Sequence, residues 1–132
     1  MNSSTSNNRS IAIIGASADR SKYGNKAVRA FRSQGYQVFP VHPSAGEIEG
    51  LRAYATIGDI PITPDLASFY VPPSIGLRII DEVAAKGITT VWLNPGAGSP
   101  ELVERAKELG LQAIEACSIV AHGDSPRNYP ED

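Results

Sequence analysis

Three segments of this 132-residue chain repeat one order: a helix-like stretch, a glycine, then an apolar run. They are Gly35-Tyr-Gln-Val-Phe-Pro-Val, Gly87-Ile-Thr-Thr-Val-Trp-Leu and Gly110-Leu-Gln-Ala-Ile. A glycine at that place ends a helix through the left-handed conformation, and the apolar residue after it seals the end. Helices alternating with short apolar strands point to a parallel sheet wrapped by helices. The expected fold is therefore α/β: a Rossmann-like open parallel β-sheet of about five strands with helices on both faces.

The pattern predicts strands at 11–15, 37–41, 66–71, 90–94 and 112–116, and helices near 24–34, 74–86 and 100–109. Ser99-Pro100-Glu101 starts the last helix with a capping hydroxyl, a proline at the first helical position and an acid in the first turn. In the middle helix Ile75, Ile79 and Val83, flanked by Ile80 and Ala84, form a broad apolar face. Residues 44–65 predict a short edge strand near 52–55 and an irregular connection, since Pro61 and Pro64 forbid a long helix. The domain then spans 10–122, between a disordered polar tail at 1–9 and a frayed end at 123–132.

Charge narrows the partners. Twelve Lys+Arg against fourteen Asp+Glu carry no general nucleic-acid or membrane-surface signal. No apolar run approaches the roughly 18 residues of a membrane span. The single cysteine, Cys117, excludes an internal disulfide and a cysteine zinc cluster and suits the reducing cytoplasm. One local excess stands out: Arg20, Lys22, Lys26, Arg29 and Arg32 fall close together with only Asp19 against them. They read either as a solvated helix face or as an anion funnel.

In an open parallel sheet, ligands bind beyond the carboxyl ends of the strands. The first strand runs into Gly15-Ala16-Ser17, followed by a basic, hydroxyl-rich loop and Gly24. A glycine turn opening onto a helix start suits a phosphate, which the free N–H groups and the helix dipole attract. His42-Pro43, Pro72-Pro73-Ser74, Asn94-Pro95-Gly96-Ala97-Gly98 and Ala116-Cys117-Ser118 follow the other strands. Ordinary NAD use is disfavoured: no carboxylate follows Val41 to take the ribose hydroxyls, and Ser17 and Arg20 break the G-x-G-x-x-G spacing. No Gly-Lys-Ser/Thr motif for ATP occurs either.

Gly15-Ala-Ser, Lys22-Tyr-Gly-Asn, Gly35-Tyr-Gln-Val-Phe-Pro-Val-His-Pro, Gly50, Tyr54, Asp59-Ile-Pro, Val71-Pro-Pro, Trp92 and Cys117 together resemble the small CoA-binding domain proteins. These are stand-alone relatives of the nucleotide-binding domain of the succinyl-CoA synthetase α subunit and of ADP-forming acyl-CoA synthetases. The resemblance covers about residues 10–122 and implies CoA or acyl-CoA held across the strand ends. It places Gly15, Ala16 and Ser17 at the phosphates, with Lys22, Tyr23 and Gly24 around the same anion; Arg20 is a further candidate there as a donor of the same loop. It sets His42 and Pro43 beside the adenosine, Val71, Pro72 and Pro73 along the channel, and Asn94, Pro95 and Gly96 near the pantetheine. Three departures stand out: Ser44-Ala45-Gly46 where relatives often carry a lysine, Asn94-Pro95-Gly96 where many carry Gln-Gly or Glu-Gly, and Glu115-Ala116 where many carry Asp-Arg before the cysteine.

Catalytic candidates are few. His42 beside a proline suits ligand contact better than proton transfer, His122 reads as a surface residue, and a lone Cys117 reads as a small buried hydrophobe. No metal-ligand spacing occurs, and no catalytic residue is assigned. The reading is a cytoplasmic CoA-binding module without evident catalysis of its own, with room for a homo-oligomer or an acyl-CoA enzyme as partner. Two alternatives stay open: an NAD(P)-binding oxidoreductase or redox regulator, and an interaction subunit of an acyl-CoA synthetase with a vestigial pocket.

Overall fold

The first apolar run becomes β1, Ser10–Ile14. All of its residues are buried, and its side chains divide between two cores: Ala12 and Ile14 on one side, Ile11 and Ile13 on the other. A strand apolar on both sides belongs to a sheet covered on both faces. In the computed structural model, which describes residues 9–131, that sheet has five strands, all paired in parallel.

The chain continues through α1 (Tyr23–Ser33), β2 (Gln37–Val41), a small hairpin of β3 (Glu47–Ile48) and β4 (Leu51–Arg52), and a one-turn 3-10 helix at Ile57–Asp59. Then come β5 (Leu66–Phe69), α2 (Pro73–Lys86), β6 (Thr90–Leu93), α3 (Pro100–Glu108), β7 (Gln112–Glu115), α4 (Ser118–Ala121) and a second 3-10 turn at Pro126–Asn128. The five-stranded sheet runs β2-β1-β5-β6-β7. The chain steps outward from β1 to β2, then crosses back to lay β5 on β1's other side. That reversal makes the ends of β1 and β5 the topological switch point, where a crevice opens.

Each face has its own helices. Ala27, Val28 and Phe31 of α1 and Ile119 of α4 pack with Ile11 and Ile13. Ile80 and Val83 of α2, with Leu102 and Ala106 of α3, pack with Ala12 and Ile14. Ile79 and Ala84 join from the margin and Ile75 is half-buried, so the expected face of α2 is rotated toward Ile80. The glycines expected to end helices, Gly35, Gly87 and Gly110, have φ of 90°, 99° and 79°.

Four local differences from the sequence expectation have physical reasons. The edge strand expected near 52–55 is an antiparallel hairpin, and Tyr54 alone bridges to Val41 in parallel. Its turn carries Glu49 at φ 52° and Gly50 at φ 78°, the left-handed pair a two-residue hairpin requires. His122 is no bare surface residue. Its ring meets Phe31, Tyr36 and Trp92 edge-on at 5.1, 6.0 and 5.2 Å.

Nor is the carboxyl end frayed through residue 131. Lys26 Nζ donates to Tyr129 O at 2.9 Å, Arg29 Nη1 donates to Pro130 O at 2.8 Å, and Tyr129 Oη donates to Asp124 Oδ2 at 2.6 Å. Cations on α1 thus hold backbone carbonyls that a polar tail would otherwise leave to water. Of the tail expected at 1–9, residues 1–8 lie outside the described residues, while the Arg9 carbonyl accepts from Gln37 N–H at 2.8 Å. Among the described residues no helix is long and apolar enough to cross a membrane.

Candidate functional site

The turn after β1 is built on glycine twice. Gly15 has φ 90°, and a Cβ there would lie 2.9 Å from both Tyr70 O and Val71 Cγ1. Its role is to nest against the end of β5, beyond giving a ligand room. Gly24 in α1 rests on this turn: a Cβ would overlap the Gly15 carbonyl and lie 3.2 Å from Ala16 Cα. The helix start is therefore seated directly on the loop. The Gly15 and Ala16 amides donate to Val41 O at 3.2 and 3.3 Å, which leaves them committed to the sheet.

Donors for an anion lie one step further on. Asn25 and Lys26 N–H both donate to Lys22 O at 3.1 Å, so Tyr23 and Gly24 amides precede the first intrahelical bonds. Lys22 stands at the N-cap with no side-chain cap hydrogen bond, and the first turn holds no acid. Before it, Ser17 Oγ accepts from Asp19 N–H at 3.0 Å, and the Asp19 carboxylate accepts from Ser21 N–H and Oγ at 3.0 and 2.6 Å. Those bonds from Ser21 hold the Asp19 carboxyl below its ordinary pKa.

A cavity of about 570 Å³ opens over this start. The β1–α1 connection supplies Gly15, Ala16, Ser17, Lys22, Tyr23 and Gly24; the end of β2 supplies His42 and Pro43. Val71 and Pro72 come from the end of β5, and Pro95 and Gly96 from the end of β6. Parallel strands deliver all their carboxyl ends to one edge, which is why residues so distant in sequence meet. Tyr70 and Ala97 also line it and were missed. The expected strand ran to 71, but β5 ends at Phe69 and Tyr70 is already loop.

Three expected residues do not line this cavity. Pro73 is the first residue of α2. Asn94 turns inward, 3% exposed: its Nδ2 donates to Ser68 Oγ and Phe69 O, both at 2.8 Å, and its Oδ1 accepts from Ser118 N–H and Oγ at 2.8 and 3.0 Å. It ties the ends of β5 and β6 to the start of α4. Arg20 is engaged by Glu49, with Nε to Oε2 at 3.1 Å and Nη2 to Oε1 at 3.0 Å.

Glu49 accounts for part of the basic cluster. Glu49 Oε2 also accepts from Asn25 Nδ2 at 3.0 Å, and Arg32 Nη1 donates to the Glu49 carbonyl. Hydrogen bonds from Arg20 first, then Asn25, bring the Glu49 carboxyl down to about 2 from an ordinary 4.5. Arg29 is buried and donates to Asn25 Oδ1 at 2.7 Å, as well as to carbonyls of the carboxyl-terminal segment. Four of the five cations thus fasten the hairpin or the chain end to α1 and the loop before it, while Lys22 lines the cavity. The cluster is neither a solvated face nor a broad funnel.

His42 Nδ1 accepts from Ser44 and Ala45 N–H at 3.1 and 3.0 Å, so the neutral ring carries its proton on Nε2 and offers a donor. Tyr70 Oη lies 3.1 Å from Ser118 Oγ, and burial pushes the phenol up to about 12. It stays protonated at neutral pH.

A five-stranded parallel sheet with a lined crevice at its switch point defines the Rossmann-like class of α/β domains. Within that class the chain belongs to the CoA binding domain family, the match running over residues 9–123. It is 34% identical over 119 residues to the α subunit of an ADP-forming acetate–CoA ligase II from Pyrococcus furiosus, covering 82% of this chain and 26% of that subunit. A conserved hypothetical protein from Pyrococcus furiosus superposes with a TM-score of 0.80 at 35% identity, over 86% of this chain and 98% of that one. The acetyl-coenzyme A synthetase 1 of Ca. Korarchaeum cryptofilum, solved with phosphate and ADP, gives a TM-score of 0.74 at 30% identity. There the match covers 85% of this chain and 26% of the synthetase. The chain thus spans about a quarter of the length of these ligase relatives.

Proposed function

We propose that this protein binds coenzyme A or an acyl-CoA, with the pyrophosphate at the start of α1 and the remainder of the ligand along the strand ends. The observation that carries the reading is the unfinished helix start. Lys22, Tyr23 and Gly24 border the cavity, with no acid in the first turn and no capping side chain for the helix start. An anion supplies the missing partner at low cost. Ser17 offers a hydroxyl to the same group, and Arg20 buttresses the loop through Glu49 without touching the ligand. His42 and Pro43 border the adenosine, with Nε2–H donating, and Val71, Pro72, Pro95 and Gly96 line the pantetheine path. The family match supports CoA over other nucleotides.

The reading gives the protein a binding role. His42 has its Nδ1 lone pair committed to two amides, and Tyr70 is held neutral, so neither is a ready proton acceptor. Calorimetry with CoA, dephospho-CoA and ADP tests it: all three bind, CoA most tightly, and Lys22→Ala weakens each by about 10- to 100-fold. No heat with any of them refutes the assignment. The similarity to ligase subunits of greater length supports an acyl-CoA enzyme as partner. Its test is co-elution of the protein with such an enzyme from native extract.

A further inference from the structure

Beside the main cavity lies a narrower one of about 250 Å³, bordered by Tyr23, Tyr70, Asn94, Pro95, Cys117 and Pro126. Tyr23, Tyr70 and Pro95 border both spaces, which makes them neighbours. Their chemistry differs. The main cavity is lined by Lys22 and His42, whereas no cation or carboxylate borders the narrow one. Two of the polar side chains at its wall are already paired: Asn94 with Ser68, Phe69 and Ser118, and the Tyr70 hydroxyl with Ser118. What remains is two aromatic rings, two prolines, a thiol and one phenol hydroxyl, that of the exposed Tyr23. A space of that kind gives a charged group no counter-charge and favours an apolar one.

We propose that the narrow cavity is an acyl pocket: with the phosphates at the start of α1, it receives the thioester end and a short acyl chain, and so selects which acyl-CoA the protein holds. The inference rests on the coenzyme reading above and adds the class of acyl group. Size sets the class. An apolar cavity of about 150 Å³ holds a benzene-sized guest, so this one has room for a thioester with about four to six carbons and none for a long fatty chain.

The carboxyl-terminal segment supplies a second, independent reason. Pro126 forms part of the wall, and the segment bearing it is fixed on both sides. Asp124 accepts from Asn128 Nδ2 and Tyr129 Oη at 2.9 and 2.6 Å, and Lys26 and Arg29 donate to the Tyr129 and Pro130 carbonyls. A wall held by this many bonds keeps a defined volume, and a defined volume discriminates chain lengths.

Calorimetry under reducing conditions with ADP, CoA and the acetyl, butyryl, hexanoyl and palmitoyl thioesters tests it. Each methylene that fits tightens binding about fourfold, so butyryl-CoA or hexanoyl-CoA should bind at least about tenfold tighter than CoA, and palmitoyl-CoA no tighter than CoA. Cys117→Leu and Pro126→Trp fill the space from two separate segments of its wall. Both should abolish the preference while ADP binding stays within about threefold of the parent. Cys117→Ala leaves the space open and should keep the preference. Intact ADP and CoA binding with a flat acyl series overturns the pocket alone. So does a preference that survives both filling variants, or one lost in Cys117→Ala, which would assign it to the thiol rather than the volume. Absence of ADP and CoA binding overturns the coenzyme reading and the pocket with it.

Discussion

Two helices begin at the same edge of the sheet and solve the same problem in opposite ways. At α3, Ser99 Oγ accepts from Leu102 N–H at 3.1 Å, Pro100 removes one donor and Glu101 supplies a negative charge in the first turn. At α1, the corresponding positions hold Lys22, Tyr23 and Gly24, with no cap and no acid. A missing cap costs about 1 kcal/mol and a cation at the positive end of the dipole about 0.3–1 kcal/mol more. The chain completes the start of α3 by itself and leaves the start of α1 without a side-chain cap or an acid. The unfinished start borders the 570 Å³ cavity.

The sharpest way to break that contrast is at the second helical residue, Glu101 in α3 and Gly24 in α1. Gly24→Val drives a side chain into the Gly15 carbonyl, and backbone cannot yield as a flexible side chain can. The variant should lose more than about 3 kcal/mol in urea unfolding, beyond the usual cost of overpacking. Full stability would mean that α1 is not seated on the loop. Gly15→Val should also be destabilising, since its Cβ meets Tyr70 O and Val71 at a φ of 90°.

Lys22→Glu comes next and separates binding from stability by sign. It gives α1 the charge its dipole prefers, so the unliganded protein should gain about 0.3–1 kcal/mol. CoA affinity should fall about 10- to 100-fold in the same variant, because a charge-assisted contact becomes a repulsion. Thermal melts with and without CoA read both quantities. Movement of both in one direction would remove the trade between fold and ligand.

How much of this could be read from sequence follows the range of the interaction involved. β2 was legible at 37–41 because Gly35 and His42-Pro43 bound it on either side, and α3 because its cap is written in three adjacent residues. Most of the cavity lining was legible too, since the parallel topology brings every strand end to one edge. Tyr70 was hidden because an aromatic residue after Ser68-Phe69 continues the strand pattern, and only the backbone shows where pairing stops. The Glu49-Gly50 turn gave a weak signal, being neither Asn-Gly nor Asp-Gly. Arg20 was misread for a different reason: its partner Glu49 is 29 residues away, and no local pattern announces a pair of that span.

That pair sharpens the comparison from behind the loop, and its effect is smaller and pH-dependent. With a folded pKa of about 2 against an ordinary 4.5, Glu49 stabilises the protein fully above about 4.5. The contribution is lost as pH falls from there through about 2, because the unfolded chain takes up the proton first. Glu49→Gln should cost about 1–2 kcal/mol at neutral pH, with a flatter acid limb than the parent's in a series of urea melts. Parallel limbs would mean that the Arg20–Glu49 contact carries no net energy.

Ser99→Ala carries the smallest expected effect and bears most directly on the contrast. The loss of one capping bond at α3 should lower stability by about 1 kcal/mol and leave CoA affinity unchanged. Ser99→Asp should restore the stability, since a carboxylate both caps and meets the dipole. The reciprocal change at the other start, Lys22→Ser, should raise the stability of the unliganded protein while CoA binding weakens. If a cap installed at α1 left the ligand affinity intact, the open helix start would be a defect of the fold and not the place where the anion sits.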